Sequence, residues 1–356
     1  MPKICIVSPS LKLGGIERAL TVLAHEFVER GFQVDFVCCL SGEHFYRLPA
    51  SITIHEPKFK RTLSSMNKLI YYPRLLSFIR KKVNSINPDR VLVFGDWFSP
   101  ITLLALLGTK YSVFISDRTI PDYTFKFPIP QLKRWLYPTS AGFIAQTQRA
   151  EEFKKKTFGS RLKIKVIPNA LPKMRFDDSI KKEKTIIYAG RFAWEKDPEI
   201  LIRSMPFVIK NAPDWTLKMA GSGPLLESMK ILANELDLTE NIQFLGKVNG
   251  MEDLYASSSI LVLPSIVEGF PNTLIEAMSA GLPTICFDDI PYEDIVHPEI
   301  DGIVLSERSP DTLASAILHL IEKPQDRFAI GRNALQVTEK FSASNIAQEV
   351  IEFMET

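Results

Sequence analysis

Short runs of β-branched and other apolar residues punctuate the chain. Each is closed by a turn-forming or charged residue, and several lead into apolar residues spaced three and four apart. Lys3–Ser8 is the first such run and predicts a buried strand. Ile16–Arg30 then carries helical spacing that stops at Gly31, and Val34–Leu40 predicts a second strand. Asp89–Phe94, Ser112–Ser116 and Gly142–Gln146 repeat the strand pattern, with Glu151–Lys156 on an exposed helix. After Lys165–Pro168 the pattern lapses, and the charged stretch Lys173–Lys184 reads as a linker. It resumes with a strand at Thr185–Ala189 and a helix from Pro198. Strands follow at Trp215–Ala220, Asn241–Leu245, Ile260–Leu263 and Thr284–Phe287, and a short helix opens at Leu254–Ala256. Helices from Pro310 and Pro324 and an amphipathic segment Ser342–Thr356 complete the chain. Strands alternating with helices predict parallel α/β sheets, and 356 residues suffice for two domains.

One stretch concentrates the chemistry. In Pro264–Asp288 a strand gives way to a loop, and Asn272 is placed to cap a helix Thr273–Ala280 through its side-chain oxygen. Gly281 supplies a left-handed end and Pro283 a stop. Glu268 lies in the loop and Glu276 one turn into the helix. A carboxylate accepts from two neighbouring hydroxyls at once, as a sugar or ribose presents them. Gly269 lets a ligand approach the backbone, and the helix N-terminus suits phosphate. The plain alternative is a solvated acid at Glu268 and a helix-end charge at Glu276.

Composition narrows the class. A net charge of +2 carries no nucleic-acid signature, and 46% hydrophobic residues is ordinary for a globular chain. Cys5, Cys38, Cys39 and Cys286 lack metal-ligand spacing and read as reduced, partly buried thiols. No signal peptide and no bilayer-length apolar run is expected. Basic residues cluster with apolar ones in Lys58–Lys82, among them Lys60, Arg61, Lys68, Arg74, Arg80, Lys81 and Lys82. Such a stretch either rests on an anionic membrane surface or forms a solvated helix face above the core. Pro73 is expected to break any single long helix there. Phe125–Tyr137 is again aromatic and basic, either a flap over a substrate or a packed loop and helix. Gly14-Gly15 after the first strand is either a ligand loop or a tight turn, and G-x-G-x-x-G is absent. Asp96 and Ser116-Asp117-Arg118 follow strands, where active-site loops leave such sheets. Asp117 either accepts a substrate proton or pairs with Arg118.

The segment EGFPNTLIEAMSAGLP closely resembles the E-x7-E element of retaining glycosyltransferases of family 4, and the resemblance extends over most of the C-terminal half and more loosely over the N-terminal half. That resemblance implies the GT-B fold, two Rossmann-like domains facing a central cleft. Residues 1–170 would bind the acceptor, 171–184 would link, 185–341 would bind the donor, and a last helix near 342–356 would return to the first domain. Glu268, with Gly269, Phe270, Pro271, Asn272 and Thr273, would hold the donor sugar, and Glu276 the ribose. Gly190-Arg191 and Lys196 resemble the diphosphate-binding element, with Gly221 and Leu245 at further donor positions. Gly14 and Gly15 would approach diphosphate and acceptor, and Asp96 and Arg118 the acceptor. Many relatives carry a His where Ser116-Asp117-Arg118 stands. Catalysis would fall to Glu268, Arg191, Lys196 and Asp117. With Asp-x-Asp absent, no metal and no cofactor are expected.

The implied reaction moves a sugar from a nucleotide diphosphate sugar, UDP foremost, to a hydroxyl of a glycan acceptor. A lipid-linked acceptor in cell-envelope polysaccharide synthesis fits best, with the enzyme cytoplasmic and peripheral on the inner membrane face. The alternatives are a non-catalytic nucleotide-sugar-binding protein and a nucleotide-cofactor oxidoreductase, which would need the missing fingerprint.

Overall fold

The computed structural model describes residues 1–12, 14–59, 65–120, 123, 125–172, 174 and 180–356. Lys60, Arg61 and most of the stretch read as a linker up to Ser179 therefore lie outside the described residues, and of the side chains from 65 to 69 nothing is described. The chain forms two compact units, one of Met1–Ala170 with Ala343–Thr356, the other of Leu171–Ser342.

The first unit runs β1 (Lys3–Ser8), α1 (Gly15–Glu29), β2 (Gln33–Cys38), β3 (Thr53–His55), α2 (Ser65–Ile86), β4 (Arg90–Phe94), α3 (Phe98–Leu106), β5 (Ser112–Ser116), α4 (Ile129–Leu136), β6 (Gly142–Ala145), α5 (Gln148–Phe158) and β7 (Ile164–Val166). The strands pair in parallel in the order β3-β2-β1-β4-β5-β6-β7. Period-two alternation divides their side chains between two apolar layers. Ile4, Ile6, Phe36, Leu92 and Phe114 face α1 on one side. Cys5, Val7, Val37, Val91, Val93 and Ile115 face α2 and α3 on the other.

Pro73 does not break α2, which runs through it. An interior proline costs roughly 3 kcal/mol. Tyr71, Leu75, Ile79, Val83 and Ile86 recur at helical spacing and are all buried against the sheet, and that burial outweighs the cost. Tyr71, Leu75 and Ile79 of the basic stretch thus belong to the core, whereas Ile70 is exposed, and Arg80 donates to the carbonyls of Ala105 and Leu107 at 3.0 and 3.1 Å, at the end of α3.

The second unit runs β8 (Thr185–Ala189), α6 (Pro198–Asn211), β9 (Thr216–Ala220), α7 (Leu226–Glu235), β10 (Ile242–Gly246), α8 (Met251–Ser257), β11 (Ile260–Leu263), α9 (Asn272–Ser279), β12 (Thr284–Phe287), β13 (Ile303–Leu305), α10 (Pro310–Glu322), α11 (Pro324–Ala334) and α12 (Val337–Lys340). Its six parallel strands lie in the order β10-β9-β8-β11-β12-β13. A final helix, α13 (Ala343–Glu355), packs on α1 of the first unit, where Phe353 sits edge-on to Phe114 at 5.6 Å. Both sheets reverse their strand order beside the first strand of each unit, between β1 and β4 and between β8 and β11. Ligands of doubly wound sheets bind outside the carboxyl ends of the strands at such a reversal.

Candidate active site

In the second unit the two loops leaving this reversal carry the acid and the cation. Gly190–Lys196 follows β8, and Pro264–Glu268 follows β11. The backbone stitches them together, because the Glu195 carbonyl accepts from Ile266 N at 3.0 Å and Val267 N at 3.2 Å. The Lys196 ammonium donates to Glu268 Oε1, and Ser265 Oγ donates to the same oxygen at 2.8 Å. Lys196 and Glu268 are largely enclosed, whereas the Arg191 side chain is 66% exposed and has only a 3.9 Å contact with Glu195.

The loop after β9 is pressed against the first of these. Gly221 has φ +141°, and a Cβ there would stand 1.8 Å from the Gly190 carbonyl oxygen. A Cβ on Gly223 would stand 2.3 Å from the Phe192 carbonyl oxygen. Gly221 N also donates to Gly246 O at 2.7 Å, which brings the end of β10, with half-exposed Leu245, to the same edge.

The α9 residues are placed differently from the capping expectation. Asn272 is the first helical residue rather than the cap, and no side chain caps the helix. Its amide nitrogen turns back to the Phe270 carbonyl at 3.5 Å. Because Pro271 occupies the cap position, Asn272 already has its backbone inside the first turn. Phe270 is buried against Phe341, so only its backbone is left for a ligand. Thr273 Oγ1 reaches the Ala189 carbonyl at 3.4 Å. Glu276 is buried and accepts from the Tyr255 hydroxyl at 3.2 Å. Gly281 takes φ +66° just past the helix, the left-handed end that its type allows.

The first unit holds a second polar cluster at the ends of β4 and β5. Asp96 is buried, accepting from the backbone N–H of Arg118 at 3.0 Å and of Thr119 at 3.2 Å, and from Lys133 Nζ at 2.7 Å. Asp117 accepts from Lys154 Nζ at 2.5 Å, Lys133 Nζ at 3.1 Å and Tyr137 Oη at 2.5 Å. Burial opposes its charge, but the two ammonium groups and these hydrogen bonds together hold the carboxyl below its usual range.

Two expectations change here. Asp117 is not paired with Arg118, and a carboxylate with three donors and a lowered pKa is a poor proton acceptor. Arg118 bends inward instead, donating to Asn169 Oδ1 with its guanidinium 3.5 Å over the Phe94 ring. Burial pushes it down to about 9, against the pull of Asp96 and Asp117. As placed, the Arg118 guanidinium is enclosed between Phe94 and Asn169. Lys133, Tyr137 and Lys154, which complete the cluster, carried no such signal in the sequence.

Gly14 precedes α1 with extended backbone, its carbonyl accepting from Tyr46 Oη at 3.1 Å. A Cβ on Gly15 would meet nothing within 4 Å, so no packing demand explains that glycine. Leu40, Tyr71, Tyr72, Leu75, Trp97, Phe98 and Ile101 line an apolar pocket of about 210 Å³ on this unit. Among the described residues no three His, Cys, Asp or Glu side chains gather as metal ligands. The four cysteines are buried and unpaired, and burial pushes the Cys286 thiol up to about 12.

Two doubly wound parallel units, the second with an acid–cation pair at its strand-order reversal, define a GT-B glycosyltransferase. Residues 13–173 match the model of Glycosyltransferase Family 4 and residues 172–337 that of Glycosyl transferases group 1, and the chain belongs to these glycosyltransferases. An uncharacterized glycosyltransferase of Haemophilus influenzae is 26% identical over 94% of this chain and 95% of its own. A Campylobacter jejuni enzyme is 24% identical, over 98% of this chain and 97% of its own. It is named GalNAc-alpha-(1->4)-GalNAc-alpha-(1->3)-diNAcBac-PP-undecaprenol alpha-1,4-N-acetyl-D-galactosaminyltransferase. Among solved structures, Anabaena HepE in complex with UDP and glucose superposes with a TM-score of 0.82 at 18% identity, each chain covered 100%.

Proposed function

We propose that this glycosyltransferase moves a sugar from a UDP-linked donor to a hydroxyl of a lipid-linked glycan, with retention at the anomeric carbon and without a metal. The observation that carries the reading is the Lys196–Glu268 pair at the reversal of the second sheet, with buried Glu276 on the adjoining helix. Glu276 would take the ribose diol, and Glu268 with the backbone of Gly269–Thr273 the sugar hydroxyls. As the sugar–phosphate bond breaks, charge builds on the departing diphosphate. Lys196 would share its ammonium between Glu268 and that diphosphate, and exposed Arg191 would swing onto it. Together the two cations would supply the stabilisation that a metal gives in other transferases.

In a retaining transfer the acceptor hydroxyl arrives on the face that the diphosphate leaves. With Asp117 held by three donors and its carboxyl below the usual range, the departing phosphate oxygen is the better base for the acceptor proton. The names of the relatives favour a lipid-linked acceptor and UDP. Membrane contact would fall to the segment before and along α4 rather than to α2. Phe127 and Trp135 are 81% and 74% exposed there, and Lys126 and Arg134 beside them are exposed too. Aromatic side chains flanked by cations suit an anionic interface.

The test is transfer by purified protein from a panel of nucleotide sugars to a lipid-linked oligosaccharide, with the linkage read by NMR. Transfer is expected from a UDP-sugar with unchanged anomeric configuration, and EDTA is expected to leave the rate intact. Loss of transfer with EDTA and its return with magnesium or manganese would overturn the metal-free part. Donor binding without transfer to any acceptor would favour a sensor.

A further inference from the structure

Arg308 lies between β13 and α10, on a loop that no donor-site motif includes, yet its guanidinium uses every N–H it has. Nε and Nη2 donate to Asp289 Oδ2 at 3.0 and 2.6 Å. Nη1 donates to Asp197 Oδ2 at 3.0 Å and to the Pro264 carbonyl at 2.8 Å, and Nη2 to the Ser265 carbonyl at 3.0 Å. The group also lies 4.1 Å over the Phe287 ring.

These acceptors sit on three different loops. Asp197 follows Lys196 directly and holds a left-handed turn, φ +40°, at the start of α6. Pro264 and Ser265 lead into Glu268, and the Ser265 hydroxyl is itself a donor to Glu268. Asp289 belongs to the loop after β12. One planar cation thus ties the turn that carries Lys196 to the loop that carries Glu268, and anchors both to a third. No bond from Arg308 reaches either functional side chain.

The electrostatics point the same way. Burial pushes the Asp197 carboxyl above its usual range, and Arg308 is the foremost group opposing that shift. Without the guanidinium, Asp197 would lose its counter-ion and burial would push its carboxyl further toward the neutral form, freeing the turn that follows Lys196.

We propose that Arg308 is a positioning residue of the donor site, setting the distance between Lys196 and Glu268 across their two loops. The proposal rests on the donor reading above. A small misplacement of reacting groups depresses turnover far more than it weakens ground-state binding held elsewhere, here by Glu276.

The test compares Arg308→Gln and Arg308→Lys with wild type by transfer kinetics and by calorimetric UDP binding, with Tm measured alongside. Arg308→Gln is expected to lower kcat by about tenfold or more while UDP affinity falls by no more than about threefold, since the Glu276 contact to the ribose is not displaced and only the Lys196 contact to the diphosphate shifts. Arg308→Lys, which restores the charge but only part of the fork, is expected to recover part of kcat. Turnover within about twofold of wild type would overturn the proposal, as would a fall in UDP affinity matching the fall in kcat. If Arg308→Gln does not fold, Arg308→Lys is judged by the same split between kcat and affinity. Glu268→Gln and Lys196→Met run in parallel. Normal transfer by both would defeat the donor reading itself, whereas their loss beside a normal Arg308→Gln would defeat the positioning role alone.

Discussion

Asp117 shows how a single carboxylate changes meaning with its neighbours. With Lys133, Lys154 and Tyr137 around it, the group is a buried, hydrogen-bonded anion. Breaking a buried pair by removing one partner costs about 3–5 kcal/mol. Asp117→Asn is expected to lose stability on that scale in urea melts at pH 7 while folded protein keeps most of its turnover. The sign of the pH dependence follows from the lowered pKa. The contribution is complete above the unfolded carboxylate value, near 3.9, and disappears as pH falls through the lower folded value. The stability gap between wild type and variant is therefore expected to narrow only in acid. A variant as stable as wild type but inactive would restore Asp117 as the proton acceptor. The triplet Ser116-Asp117-Arg118 was legible in sequence as chemistry at a strand end. Its partners were not, because they stand 16, 20 and 37 residues further on and meet it only through tertiary packing. Lys154 reads as one charge on an exposed helix, yet it is buried.

At the scale of elements, the edge that carries Lys196 and Glu268 depends on three loops meeting backbone to backbone. The glycine at 221 permits both the φ of +141° and the approach of the Gly190 carbonyl. Gly221→Ala would face backbone strain and a steric clash together, and is expected to cost more than about 4 kcal/mol or displace the Gly190–Lys196 loop. A thermal melt and a UDP titration would register either outcome, and a variant matching wild type in both would refute the close approach. Strands such as β4, β8, β11 and β12 were legible because both of their faces are buried and their apolar runs are uninterrupted. β3 and β13 went unread, being edge strands of three residues each. α3 carried no stripe to read because seven of its nine residues are buried. α2 was misjudged at Pro73, where tertiary burial overrides a local preference.

At the scale of the whole molecule, the chemistry of a lipid-linked acceptor calls for contact with a bilayer. Among the described residues no helix is long and apolar enough to cross one. The expected mode is reversible adhesion through exposed Phe127 and Trp135 with Lys126 and Arg134, each cation adding about 1 kcal/mol, screened by salt. Sedimentation with anionic vesicles is expected to recover the protein in the pellet at low salt and less of it as salt rises. Phe127→Ser with Trp135→Ser, and separately Lys126→Glu with Arg134→Glu, are expected to return it to the supernatant. Arg80 is unsuitable for this purpose because it holds the end of α3. Equal recovery with and without anionic lipid would refute the adhesion. The E-x7-E segment made Glu268 and Glu276 legible as candidates because the pattern that carries them is local in sequence. Arg308 escaped notice because its five bonds join segments distant in sequence.

The return of α13 to the first unit sets a schedule for the nascent chain. Ile346, Val350, Phe353 and Met354 fill the layer beside α1, and Arg90 Nε donates to the Met354 carbonyl at 2.6 Å. These residues leave the ribosome only after Leu171–Ser342 has been made. At ordinary elongation speeds of about 5–20 residues per second, that interval is roughly ten to thirty seconds. Throughout it, the first 170 residues expose an apolar seam on α1 and β6 that only the chain's own tail will close. The second unit, encoded without interruption, can finish folding first, while the seam stays open to water until α13 arrives.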